Sequence, residues 1–91
     1  MRINQQTIQE QADELATLLI RKNADYGGSF EEQYNEYGLT SVLIRLDDKM
    51  KRLKHLQKHE ALVNESIKDT LQDIAGYALL ASILVEGDEN G

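Results

Sequence analysis

The chain has 91 residues, no cysteine and a formal net charge of −6. A chain this short makes one domain and buries only about 60 to 65% of its unfolded surface, so its core is thin; without disulfides, self-association is the favoured source of extra stability. The negative balance disfavours nonspecific binding to DNA or to an anionic membrane.

Charge is unevenly distributed. Residues 1–44 carry three basic and seven acidic groups, 45–59 six and two, and 60–91 one and seven, giving −4, +4 and −6. The basic band is either a solvated helix face paired with acidic neighbours or a local phosphate site. Met1 to Gln6 lack the apolar stretch of a signal peptide, and no run of about 18 apolar residues occurs. A cytosolic location is therefore expected, with no membrane partner.

Proline is absent and apolar residues recur at helical rather than strand spacing. The expected fold is all-α: a compact bundle of about four helices, one short, within a single domain over 1–86, followed by a frayed tail over 87–91. The first helix should begin near Thr7, where Thr7-Ile8-Gln9-Glu10 has capping-box form, and run to about Asn23 with Ile8, Ala12, Leu15, Leu18 and Leu19 on one face. Lys22 to Gly28 reads as a turn, because paired glycines permit positive φ and Asn and Asp bond locally to the backbone.

Ser29-Phe30-Glu31-Glu32 forms another capping box and starts a short helix that stacks Phe30, Tyr34 and Tyr37, an aromatic stripe expected in the core, and closes at Gly38. The third helix should run from Thr40 or Ser41 to about His59, burying Val42, Leu43, Leu46, Met50, Leu53 and Leu56. At about 100° per residue, Arg45, Lys49 and Arg52 form one row at the rim of that stripe. The fourth helix should open at Asn64 and continue to about Glu86, with Ile67, Leu71, Ile74, Ala75, Ala78 and Val85 inward. Leu80, Ile83 and Leu84 fall on the other face, so this half of the helix is expected to form a homo-oligomer contact.

Glu65, Asp69 and Asp73 recur every fourth residue and place three carboxylates in one row. They are a solvated acidic face favoured by the helix dipole, a magnesium site completed by substrate phosphates, or partners for Arg45 and Arg52. His55 and His59 stand one turn apart, but no third ligand follows, and the absence of cysteine and of a nucleophile elbow leaves covalent catalysis unsupported.

The ordered set Lys22-Asn23-Ala24-Asp25-Tyr26-Gly27, Arg45-Leu46 with Asp48-Lys49, and Glu65-Ser66-Ile67 with Asp69-Thr70-Leu71, Asp73 and Tyr77-Ala78 resembles the first nucleotide-modification-associated domain family, found in phages and their hosts. The resemblance spans roughly residues 20–80 and implies a compact helical protein that binds or acts on nucleotides. The family tends to have asparagine where this chain has Gly76, a departure that removes a ligand contact or lets another helix approach closely. A looser likeness to MazG-type helical pyrophosphatases stops short of their motif, because here the acidic residues fall at i, i+4, as Glu32 with Glu36 and Glu65 with Asp69 and Asp73.

Two functions follow as expectations. The first is a binding protein that captures and sequesters a phosphorylated nucleotide, such as a cyclic-nucleotide or ADP-ribose-type immune signal, without turnover and without a cofactor. Its expected ligand residues are Lys22, Asp25, Tyr26, Arg45, Lys49, Arg52, Asp69, Asp73 and Tyr77. The alternative is a magnesium-dependent pyrophosphatase using Glu65, Asp69 and Asp73 as metal ligands. A structural helical module is the third possibility.

Overall fold

The computed structural model describes residues 1–26, 28–58 and 63–90; of Tyr26, of 63–66 and of Asn90 it describes the backbone alone. Helices α1 (Gln5–Tyr26), α2 (Ser29–Tyr37), α3 (Leu39–Gln57) and α4 (Val63–Asn90) follow in order, and no strand occurs among the described residues. No helix among these residues is long and apolar enough to cross a membrane. The chain divides into two compact units, Met1–Phe30 and Glu31–Gly91.

In the first unit α1 starts two residues before the expected Thr7. Asn4 is the capping residue: its Oδ1 accepts the Thr7 backbone N–H at 3.0 Å, and Thr7 Oγ1 accepts the Asn4 N–H at 3.0 Å. This reciprocal pair satisfies two backbone donors at the helix start. Helical structure continues through Tyr26, so Lys22 to Tyr26 is helix rather than turn, and Gly28, with φ 80°, precedes the start of α2. Local Asn and Asp preferences are overridden because nothing before Gly27 forces a positive φ. Leu15, Leu18 and Leu19 are half-buried, whereas Ile8 and Ala12 are exposed.

The second unit is built on an antiparallel hairpin of α3 and α4. Buried and half-buried positions on α3 include Val42, Leu46, Lys49, Leu53 and Leu56, spaced alternately four and three, with Ser41 and Arg45 on one side of them; on α4 they include Ile67, Thr70, Ile74, Tyr77, Ala81 and Leu84, with the same alternation. On α3 this is a narrow seam facing one neighbour, whereas on α4 Gln72, Asp73, Gly76, Leu80 and Val85 are buried or half-buried as well and widen the arc. Leu43, Met50, Leu71, Ala75 and Ala78, expected in the core, are therefore exposed. Leu80 and Leu84, expected to face outward, are half-buried instead, Leu84 in the seam and Leu80 to one side of it, and only Ile83 of that trio is exposed.

The interior is sparse. Val42 and Ala81 are the buried hydrophobic side chains among the described residues, and no large side chain among them is fully enclosed. Buried Ser41 is satisfied by donating from Oγ to the Gly38 carbonyl at 2.9 Å, and no buried side-chain nitrogen or oxygen among the described residues lacks a partner. α4 extends past the expected end at Glu86, and its last turn is held where Tyr34 Oη donates to Asp88 Oδ2 at 2.7 Å. The expected His59 end of the third helix lies outside the described residues.

Candidate functional site

Gly38 positions the site. Its φ of 68° and ψ of −154° lie in a region open essentially to glycine. Its N–H donates to the Tyr34 carbonyl at 2.7 Å, closing α2, while its own carbonyl accepts the Ser41 N–H at 3.1 Å as α3 begins. The break between the helices at this residue lets the Gln33 side chain of α2 meet Arg45 of α3.

Arg45 is held on two sides. Its Nε donates to Gln33 Oε1 at 2.8 Å, and its guanidinium carbon lies 5.6 Å from the centre of the Tyr77 ring on α4. Such a cation over an aromatic face gains about 0.5 to 1 kcal/mol at a partly exposed site and, more usefully, fixes the plane of the guanidinium. One turn along, Lys49 Nζ sits 3.1 Å from Asp73 Oδ2, with both side chains 24% exposed. Four residues forward on α3 match four residues back on α4, so the two contacts share one antiparallel register.

A groove of about 310 Å³ opens beside Arg45, lined by Gln33, Tyr37, Thr40, Ser41, Ile44 and Arg45. Tyr37 is 61% and Ile44 66% exposed, so the last residue of the expected aromatic core stripe is instead a surface platform. The lining combines a guanidinium, a carboxamide, the hydroxyls of Tyr37, Thr40 and Ser41, the Tyr37 ring and an aliphatic side chain. That set suits an anion joined to a flat ring: the fork of Arg takes phosphate oxygens and Tyr37 offers a stacking face.

The expected ligand residues divide by position. Arg45, Lys49, Asp73 and Tyr77 come together across α3 and α4, whereas Arg52 and Asp69 are exposed on the outer turns of the hairpin. Within the row Arg45, Lys49, Arg52, Lys49 is committed to Asp73. Cross-helix pairing by this row is realised through Lys49, whose Nζ meets Asp73. Lys22, half-buried, and Asp25, exposed, stand near the end of α1 in the first unit. The side chains of Tyr26 and Glu65 lie outside the described residues, as does His59, partner of His55 in the expected pair.

Among the described residues, no three His, Cys, Asp or Glu side chains gather into a metal-binding set. Asp73 of the carboxylate row faces Lys49, while Asp69, one turn earlier, is solvated. Gly76, where the family tends to have asparagine, is buried beside the Tyr77 turn. Sequence reading missed Gln33, Thr40 and Ile44. The available signal was Gly38: a helix break there lets long side chains shortly before it meet side chains one to two turns after it.

Tyr34 adds an electrostatic feature at the α4 end. Donation of its hydroxyl to the Asp88 carboxylate, followed by burial and the negative charge of Asp88 itself, raises its pKa above the ordinary tyrosine value. This bond ties α2, and with it Gln33, to the last turn of α4.

No curated protein and no solved structure shows significant similarity to the chain. The family model described as nucleotide modification associated domain 1 matches residues 22–85, a span that contains the groove, the Arg45–Tyr77 contact and the Lys49–Asp73 pair. The looser MazG-type likeness is not shown by this match. With well over half of its length matched and the family's K-N-x-D-Y-G and R-L-x-D-K elements within the span, the chain belongs to the nucleotide modification associated domain 1 family.

Proposed function

We propose that the protein is a nucleotide-binding protein that captures a phosphorylated nucleotide in the groove beside Arg45 and holds it without turnover, as a self-associating sequestration protein in the cytosol of a host cell. The observation that carries this reading is the Arg45 guanidinium, fixed between Gln33 and Tyr77 at the edge of a groove that also exposes Tyr37 and Ile44. A fixed guanidinium loses less freedom on meeting a phosphate than a mobile one, which favours tight capture. Tyr37 and Ile44 supply flat and aliphatic contact for a base, and Thr40 supplies a hydroxyl within the same lining. Membership in a family named for association with nucleotide modification supports the ligand class.

Capture is favoured over hydrolysis because the carboxylate facing this region is engaged. Asp73 spends its charge on Lys49, and a carboxylate paired with an ammonium is a weaker magnesium ligand and a poorer base than an unpaired one. The test is titration calorimetry of the full chain with a panel of mono-, di-, cyclic and ADP-ribose-type nucleotides in EDTA, followed by denaturation and chemical analysis of the released ligand. Binding in EDTA with intact recovery is expected. Magnesium-dependent product formation that disappears in Asp73→Asn, with the fold kept, would establish the pyrophosphatase in its place.

A further inference from the structure

The contacts Arg45–Tyr77, Lys49–Asp73 and Arg45–Gln33 all lie on one side of the α3/α4 hairpin. In an antiparallel pair, turning the same way from each helix's seam leads to the same side, so the opposite flanks of α3 and α4 form one continuous surface. At about 100° per residue that surface carries Leu43 and Met50 of α3 and Leu71, Ala75 and Ala78 of α4, with Leu79 at its margin. Leu43 is 57%, Met50 42% and Leu71 48% exposed. A shallow concavity of about 580 Å³ continues it along α4, past Ser82 and Val85 to Glu86 and Glu89.

Charges at the two ends of this surface are opposite. Lys54 and Lys58 of α3 and Lys68 of α4 fall on the same flank and are exposed, at the end where α3 finishes, whereas Lys51 lies opposite the seam and pairs with Asp47 at 2.8 Å. Glu86 and Glu89 of α4 fall on that flank at the other end and are exposed as well. Leu43 and Leu79 stand at the same level of the register, in the middle. Lys54 and Lys58 lie 11 and 15 residues beyond Leu43, Lys68 lies 11 before Leu79, and the two glutamates lie 7 and 10 beyond Leu79. Basic and acidic ends are thus comparably far from the apolar centre, about 10 to 22 Å at a rise of 1.5 Å per residue.

We propose that this face is the contact surface for a second copy of the chain, docked antiparallel about a two-fold axis through the Leu43–Leu79 region. Such an axis sets the lysine end of each copy against the Glu86–Glu89 end of its partner and covers both apolar centres at once; a parallel arrangement would oppose like charges. The sparse interior supplies the drive, since a chain whose described core is Val42 and Ala81 gains apolar burial by association that it lacks alone. The surface is assigned independently of what the groove binds, because Arg45 and Tyr77 lie on the other side of the hairpin.

Sedimentation equilibrium of the full chain over a wide concentration range tests this. The wild type should be a dimer, and Leu43→Glu should weaken association at least tenfold with helix content by circular dichroism unchanged. Two charge variants provide a test that does not disturb the apolar centre: K54E/K58E and E86K/E89K should each be monomeric, and an equimolar mixture of the two should dimerise, because both end contacts become attractive again. A monomeric wild type, meaning that α1 or an unrelated protein covers the face, would overturn the proposal. So would a mixture no more associated than its components, or a Leu43→Glu protein that is folded and still dimeric.

Discussion

Substituting Lys49 and Asp73 singly and together measures the cross-helix link that keeps the carboxylate engaged. At 3.1 Å the two charges attract by about 5 kcal/mol for an effective dielectric near 20. Each side chain is only 24% exposed, so lost hydration and fixed rotamers offset most of that gain, and a net coupling of about 1 to 2 kcal/mol is expected. Asp73 also takes part in a further interaction, so the single substitutions overstate the pair and only a double-mutant cycle isolates it. Lys49→Met, Asp73→Asn and the double variant should be unfolded by urea at one fixed protein concentration, since association would otherwise contribute to apparent stability. Raising sodium chloride from 0.1 to 1 M should remove less than half of the coupling, because a partly buried pair is poorly screened. A coupling below about 0.3 kcal/mol, or one lost entirely in salt, would show that the pair behaves as an exposed one. The reason for favouring capture over hydrolysis would then fail.

Further expectations concern Arg45, Gly38 and Tyr34. Arg45→Lys keeps the charge but loses the planar fork over Tyr77 and should weaken nucleotide binding by roughly tenfold, measured by calorimetry against Gln33→Ala, where a smaller loss is expected. Gly38→Ala places no atom within 4 Å of the new Cβ, so its destabilisation, about 1 to 3 kcal/mol by urea unfolding, is purely conformational; an unchanged midpoint would contradict the backbone geometry. Tyr34→Phe should speed amide exchange in the last turn of α4 and leave the Lys49–Asp73 coupling intact. Because the folded Tyr34 pKa is raised, the contribution of its bond is fully present below the unfolded tyrosine value and is lost as pH rises through the folded one. The wild type should therefore approach Tyr34→Phe in exchange rate only above about pH 10, the ordinary tyrosine value.

Residue pattern alone determined the helices. Without proline, and with apolar residues at helical spacing, nothing competed with four helices, and Gly38 marked the end of α2 because no other residue accepts its backbone geometry. The family was also legible, since its elements are short and ordered along the chain. What each helix buries was decided by tertiary structure. Apolar periodicity indicates the centre of a buried arc but not its width, and width depends on how many neighbours a helix has. With α4 as the neighbour in register, α3 buries a narrow seam and leaves Leu43 and Met50 in solvent; the same register turns Leu84 inward and Leu71 outward. Lys49 and Asp73 lie 24 positions apart in sequence, and Gln33 and Arg45 lie 12 apart. Their meeting depends on where the chain reverses and how the helices slide, and that is set by side-chain fit at the seam rather than by any local propensity.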